Sequence, residues 1–161
     1  MTDTEWQRRI DDAWASFDQH TEADFLALID RLAAERPPED AVALFERAGA
    51  FDSTGHPGQA VQLYRKALDH GLDGERRRRA VIQLASSLRN LGEVDESVAL
   101  LTAELDLTSD HLDDAVRAFL ALALADAGRG REAVSHALTA LAPHLPRYQR
   151  SVANYARELI R

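Results

Sequence analysis

Three glycines divide the middle of the chain at nearly equal intervals: Gly55, Gly92 and Gly128 lie 37 and 36 residues apart. The same residue types recur around each glycine. A small residue follows five positions later, and an alanine precedes by seven; these positions are Ala60, Ser97 and Ala133, and Ala48, Ala85 and Ala121. A repeat with a period in the thirties predicts stacked helix pairs, because a single pair cannot bury its own apolar stripe.

The spacing of apolar residues predicts helices along the whole chain. Trp6, Ile10 and Ala13 are separated by four and three residues, and similar spacing recurs in the later segments. We find no strand-like alternation. The segments are separated by short breaks rich in glycine or proline, such as "RPPED" at 36–40 and "GRG" at 128–130. We therefore predict an all-α fold, in which glycine permits each tight reversal and the small residues let paired helices approach closely.

The first repeat carries this pattern most completely, at Ala48, Phe51, Gly55, Ala60, Tyr64 and Ala67. It resembles the tetratricopeptide repeat (TPR) family, in particular its small stand-alone bacterial members. The resemblance implies a right-handed helical-repeat solenoid of antiparallel helix pairs. The later repeats depart from the family pattern at Glu104 and Arg117, where it prefers alanine and a large apolar residue.

On this basis we expect one TPR-like domain over residues 1–161. It would comprise a degenerate N-terminal helix pair and three repeats, followed by a capping helix. The expected ranges are 1–39 for the pair, 40–74, 75–109 and 110–145 for the repeats, and 146–161 for the cap. In the capping helix, Tyr148, Val152, Tyr155 and Leu159 would form the apolar side that covers the last repeat.

Charge and composition disfavour several classes of partner. The net charge is −8, and residues 1–40 alone contribute −7. Such a chain is repelled by phosphate backbones and anionic lipid, so we expect neither a nucleic-acid nor a membrane partner. The sequence has no cysteine, no long apolar run and no segment resembling a signal peptide. We expect a cytoplasmic protein.

Residues with catalytic potential do not form a recognisable motif. The paired carboxylates Asp11/Asp12 and Asp113/Asp114 are adjacent, so on a helix they would point about 100° apart. None of the six histidines stands three or four residues from another, and there is no glycine-rich phosphate loop. The sequence therefore predicts a protein without enzymatic activity, cofactor or bound metal.

Four consecutive arginines, Arg76–Arg79, form the most unusual segment. They begin a predicted helix, where the helix dipole disfavours positive charge. The favoured interpretation is ion pairing with nearby acids such as Asp69, Asp73 or Glu75. The alternative concerns the inner face of the repeats, where an arginine could hold a carboxylate.

The family resemblance implies a concave groove that binds a peptide or protein segment. The positions transferred to this chain are Phe45, Ile82 and Leu122 as apolar contacts, and Arg79, Arg89 and Asn90 as polar contacts. The matching positions of the first and third repeats carry no cation. They are Val42, Phe45, Gly49 and Asp52, and Ala115, Ala118, Leu122 and Ala125. A second hypothesis is a structural homodimer whose groove is filled by its own helices, with no peptide ligand.

Overall fold

The computed structural model describes residues 3–161, and within that range it contains helices and no strand. Met1 and Thr2, which belong to the predicted N-terminal pair, lie outside the described residues. The predicted all-α, helical-repeat fold class is confirmed. The chain divides into two compact units, Met1–Gln83 and Leu84–Arg161.

The helices have the following bounds. The first unit contains α1 (Asp3–Ala15), α2 (Glu22–Ala33), α3 (Ala41–Ser53) and α4 (Pro57–Asp69). The boundary between the units falls within α5 (Gly74–Asn90). The second unit continues with α6 (Val94–Leu107), α7 (Asp113–Asp126), α8 (Gly130–Leu141) and α9 (Gln149–Glu158). Short 3-10 turns occupy Phe17–Gln19 and Ala142–His144.

The glycine-centred turns close each helix pair as the repeat pattern predicts. Gly55, Gly92 and Gly128 have φ values of 82°, 87° and 74°, in the left-handed region that favours glycine. The amide of the residue after each glycine donates to a carbonyl five residues earlier. In the first turn this bond joins His56 N to Phe51 O at 2.8 Å, and the later turns repeat it at 2.9 and 2.8 Å. Each turn is therefore a Schellman-type helix end.

The small residues of the repeat lie where paired helices approach each other. Ala48, Ala60 and Ala85 are fully buried. In the second unit the Ser97 hydroxyl of α6 donates to the carbonyl oxygen of Ala85 on α5 at 2.7 Å. A larger side chain at either position would push these two helices apart, so the size restriction seen in the sequence reflects direct contact.

The N-terminal helices pack as an ordinary core. Trp6, Ile10 and Ile29 are almost fully buried, and the Trp6 indole Nε1 donates to the Leu32 carbonyl oxygen at 2.8 Å. Phe25 lies against two aromatic residues of the first helix and the following turn, with ring centroids 5.0 Å from Trp14 and 4.7 Å from Phe17. Trp14 and Phe17 therefore pack on Phe25, and Trp14 also has a polar contact through its indole nitrogen.

The C-terminal helix packs through only part of the predicted apolar side, in which Val152 and Leu159 are half-buried. Helix α9 begins at Gln149, because Tyr148 adopts a left-handed conformation with φ of 67°. Tyr148 and Tyr155 are exposed, at 74% and 63%, so the prediction that they belong to the buried side was wrong. The buried residue is Ala156, whose carbonyl oxygen accepts a 2.7 Å hydrogen bond from Ser135 on α8. The contact is so close that only a small side chain fits there.

Candidate functional site

A cleft of about 350 Å³ opens in the first unit between α1, α3 and α5, with one residue from α4. Its lining combines aromatic rings with charges of both signs. The lining residues are Gln7, Ile10, Asp11, Trp14, Phe45, Glu46, Gly49, Ser53, Tyr64, Arg76, Arg79 and Gln83. All of them belong to the first unit, so one compact body holds the whole site.

Glu46 is the buried charge of this cleft. Its side chain lies on α3 and the residue is only 6% exposed, although a glutamate is rarely buried without a partner. The Trp14 indole Nε1 donates to its Oε2 at 2.8 Å. Burial raises the pKa of Glu46 above its ordinary value, against the opposing effects of the Trp14 hydrogen bond and the positive charges of Arg76 and Arg79.

Gly49 gives Trp14 its place beside Glu46. A Cβ atom at Gly49 would lie 3.2 Å from Cζ2 of Trp14, closer than ordinary van der Waals contact. Glycine in a helix interior costs about 1 kcal/mol relative to alanine. Because Gly49 has no side chain, the Trp14 indole ring can lie against the backbone of α3 and direct its N–H to the Glu46 carboxylate. This contact explains a residue that otherwise lowers the stability of the helix.

Two arginines approach the cleft from the start of α5. Arg76 and Arg79 are three residues apart and therefore share a face of the helix. The Arg79 guanidinium carbon lies 5.3 Å from the centroid of the Phe45 ring, a cation–π geometry. Arg76 donates to the side-chain oxygen of Gln7 on α1. These two arginines are thus directed to α1 and α3, whereas the favoured sequence interpretation directed the arginine run to Asp69, Asp73 or Glu75.

The Arg79 guanidinium retains its hydrogen-bonding capacity. Within the part of the chain that the structure describes, none of its N–H groups has a hydrogen-bond acceptor, and no carboxylate lies at ion-pair distance. Arginine presents five donors in a planar fork that matches a carboxylate. The contact with the Phe45 ring places this exposed guanidinium beside an aromatic side chain of the cleft, with its donors available to a ligand.

A second cleft in the first unit, of about 430 Å³, lies beside the turn between α2 and α3. Both of its arginines have carboxylate partners: Arg36 pairs with Asp40 at 3.0 Å and with Asp3 at 2.9 Å, and Arg47 pairs with Asp30 at 2.7 Å. Asp40 also accepts from the Ala43 amide at 2.9 Å and so caps α3. Burial acts to raise the pKa of Asp40, but the hydrogen bonds from Arg36 and Ala43 together lower it. These internal bonds indicate a structural role for this region.

The residues transferred from the family groove are distributed over both units. In the first unit Phe45 and Arg79 come together at the cleft, whereas Ile82 is 5% exposed and does not line it. Arg89, Asn90 and Leu122 belong to the second unit. Arg89 pairs there with Asp126 at 2.9 Å, and Leu122 is 48% exposed.

Sequence reasoning missed Glu46 and Trp14 as parts of the site. Glu46 is one of two charged residues, with Arg47, in the otherwise apolar stretch "AVALFERAGAF", and such a position normally faces solvent. The available signal was Gly49, because a glycine inside a helix requires a reason. That the neighbour of Gly49 is the Trp14 ring depends on how α1 packs against α3, which no local sequence pattern specifies.

Neither a metal cluster nor a membrane-spanning helix occurs within residues 3–161. No group of three or more histidine, aspartate or glutamate side chains in that range could hold a metal ion. None of the helices formed by these residues has both the length and the apolar character that crossing a bilayer requires.

Comparison with known proteins agrees with the helical-repeat fold. The tetratrico peptide repeat family profile matches residues 41–159. Among solved structures, the chain is similar to the nearly identical TPR-like repeats of a Podosopora anserina protein assigned as a kinesin light chain. That structure is 18% identical with a TM-score of 0.71, and the match covers 96% of this chain and 86% of that one. The curated proteins contain no significant match.

A further solved structure, YrrB, is named as a TPR protein with an unusual peptide-binding site. It is 15% identical with a TM-score of 0.57, over 94% of this chain and 84% of that one. At these identities the structural matches show the fold alone. The family match covers most of the chain, so the protein belongs to the tetratricopeptide repeat family, whose fold serves as a scaffold for protein–protein interaction.

Proposed function

We propose that this protein binds a segment of a partner protein in the cleft of its first unit, and that an acidic side chain of that segment pairs with Arg79. The observation that carries this proposal is the Arg79 guanidinium, which lies over the Phe45 ring and lines the cleft without an acceptor among the described residues. Arg76, one turn away, adds a second positive charge. The peptide-binding site named for YrrB is consistent with this use of the fold.

The remaining expectations from the sequence extend this proposal. The protein would act as a binding scaffold without catalysing a reaction, and it would act in the cytoplasm. Arg89, Asn90 and Leu122 remain candidate contacts of the second unit, with Leu122 the most exposed apolar residue among the transferred positions. Ile82 would support the site from the core, because its side chain is buried.

A display selection tests the proposal directly. Phage-displayed random peptides are selected on the immobilised protein, and the enriched peptides are measured against Arg79→Ala and the matched control Arg150→Ala, an exposed arginine in the second unit. A charge-assisted hydrogen bond contributes about 1.5–3 kcal/mol, so Arg79→Ala should weaken binding by about tenfold or more. The control should bind like the original protein. Peptides without aspartate or glutamate, or equal binding by both variants, would refute the assignment.

Self-association is the second candidate function. The second unit exposes large apolar side chains, with Leu122, Val134 and Leu141 each 48% exposed. Ala118 and Ala125 extend the exposed side of α7 around Leu122. We propose a homodimer as the alternative use of this surface. Light scattering over a range of concentrations decides it: a mass of 17.8 kDa throughout excludes the homodimer, and a doubled mass supports it.

A further inference from the structure

The formal charges of the four ionisable groups at the cleft sum to zero, and one of the negative groups, Glu46, opposes the binding of an acid. Arg76 and Arg79 on α5 are positive, and Glu46 on α3 and Asp11 on α1 are negative. Asp11 already accepts a 2.8 Å hydrogen bond from the Gln7 amide. An acidic side chain that enters the cleft is attracted by the arginines and repelled by Glu46, because like charges in a partly desolvated site interact strongly.

Glu46 also has no directly paired cation among the described residues, although Arg76 and Arg79 act on it at longer range. Across residues 3–161, no positively charged group lies at ion-pair distance from its carboxylate, and its one hydrogen-bond donor is the Trp14 indole. The groups that face it are Asp11 and Trp14 from α1, Tyr64 from α4, and Arg76 and Arg79 from α5. Tyr64 is buried, and burial raises its pKa, so it remains neutral and supplies no charge.

An occupant that expels water would leave this carboxylate in a still less favourable position. A buried carboxylate without a directly paired cation is stabilised by taking up a proton. Protonation keeps the Trp14 hydrogen bond, because a neutral carboxyl group still has an acceptor oxygen. It also changes the summed charge of the four groups from zero to positive, which favours the acidic occupant.

We propose that Glu46 couples partner binding to proton uptake: an acidic segment binds the cleft when Glu46 is protonated, and it is repelled when Glu46 is ionised. This inference rests on the proposed function, because it concerns the regulation of the same site. Glu46 thereby acts as a positioning and specificity residue, which makes recognition tighter as the pH falls.

The sign of the effect follows from the direction of the pKa shift. Burial already raises the pKa of Glu46 in the unoccupied protein, and a bound carboxylate raises it further. Between these two pKa values, binding takes up a proton, so affinity increases as the pH decreases. Each pH unit within that window changes the affinity by up to about tenfold.

The test uses an acidic peptide from the selection and the same peptide with asparagine and glutamine in place of its acids. Affinities are measured at about pH 5.5 and about pH 7.5, between which exposed carboxylates stay ionised. The protein variants are Glu46→Gln, whose amide oxygen can still accept from Trp14, and the control Glu158→Gln at the exposed end of α9.

The original protein and the control should bind the acidic peptide about tenfold more tightly at the lower pH. Glu46→Gln should bind equally at both values, with the higher affinity. A pH-independent affinity of the original protein, or a pH dependence retained in Glu46→Gln, would overturn the coupling and leave the proposed function intact. Absence of acidic peptides from the selection would instead overturn the proposed function.

Calorimetry on the unmodified protein provides a second readout that does not depend on a variant. Binding enthalpies measured in buffers of different ionisation enthalpy give the number of protons exchanged. We expect net uptake by the complex with the acidic peptide and much less with its amide counterpart. Equal exchange with both peptides, or none with the acidic one, would contradict the role of Glu46.

Discussion

The turn between α3 and α4 allows a direct test of the repeat geometry, because two glycines lie three residues apart with different backbone conformations. Gly55 has φ of 82°, whereas Gly58 lies in the first turn of α4 without a positive φ. A Cβ atom at either position would meet nothing within 4 Å. Replacement by alanine therefore perturbs the backbone conformation alone in both cases.

The two substitutions should change the free energy of unfolding in opposite directions. A left-handed conformation costs an L-residue about 1–2 kcal/mol, while loss of glycine restricts the unfolded chain and returns about 0.4–1 kcal/mol. Gly55→Ala should therefore lower the free energy of unfolding by about 1 kcal/mol. Gly58→Ala should raise it by about 0.4–1 kcal/mol, because its conformation already suits alanine.

Urea unfolding followed by tryptophan fluorescence is the appropriate assay. Both tryptophans, Trp6 and Trp14, belong to the first unit, as do both substitutions. The two variants should differ by about 1.5–2 kcal/mol. If both changed the stability in the same direction, the left-handed glycine would not be the element that closes the helix pair.

Three further perturbations test the packing and the charges. Trp14→Phe removes the donor of Glu46 and should cost about 1–3 kcal/mol in urea unfolding at neutral pH; an unchanged stability would contradict the buried hydrogen bond. Asp40→Ala removes the α3 cap and should cost about 1–2 kcal/mol. The pKa of Asp40 is lowered from 3.8 in the folded protein, so its contribution to the free energy of unfolding is fully present above that pH and is lost as the pH falls through the pKa of the folded state. The stabilities of the original protein and Asp40→Ala should therefore become equal in acid. Tyr155→Ser should change stability by less than about 0.5 kcal/mol, whereas Ala156→Leu should cost about 1–3 kcal/mol; equal effects would contradict the orientation of α9.

The sequence predicts the parts of this fold that depend on backbone chemistry and residue size. The glycine turns and the Ala85–Ser97 contact follow from restrictions that act within one repeat. The orientation of α9 cannot be derived from the sequence in this way, because the exposed Tyr148 and Tyr155 have the same helical spacing as the half-buried Val152 and Leu159. Helical spacing identifies an apolar stripe, but the close approach at Ser135 centres the contact on Ala156, beside the half-buried Val152 and Leu159 of that stripe.

Some residues of the candidate site could likewise be predicted from the sequence, and others could not. Phe45 and Arg79 were found from repeat positions, which specify the side of a helix on which a residue lies. The burial of Glu46 depends on where α1 places the Trp14 ring, and α1 belongs to the degenerate part of the repeat pattern. A carboxylate buried by a neighbouring helix carries no local signature, so the burial of Glu46 becomes visible only in three dimensions.

The indole N–H signals of the two tryptophans test the central claim that the cleft is the binding site. Trp14 lies in the cleft beside Glu46, while the Trp6 indole donates to the Leu32 carbonyl oxygen in the core. In a two-dimensional nitrogen–proton NMR titration with the selected acidic peptide, we predict that the Trp14 indole signal shifts and the Trp6 signal does not. Binding that leaves the Trp14 signal unchanged would contradict the account and place the partner elsewhere on the protein.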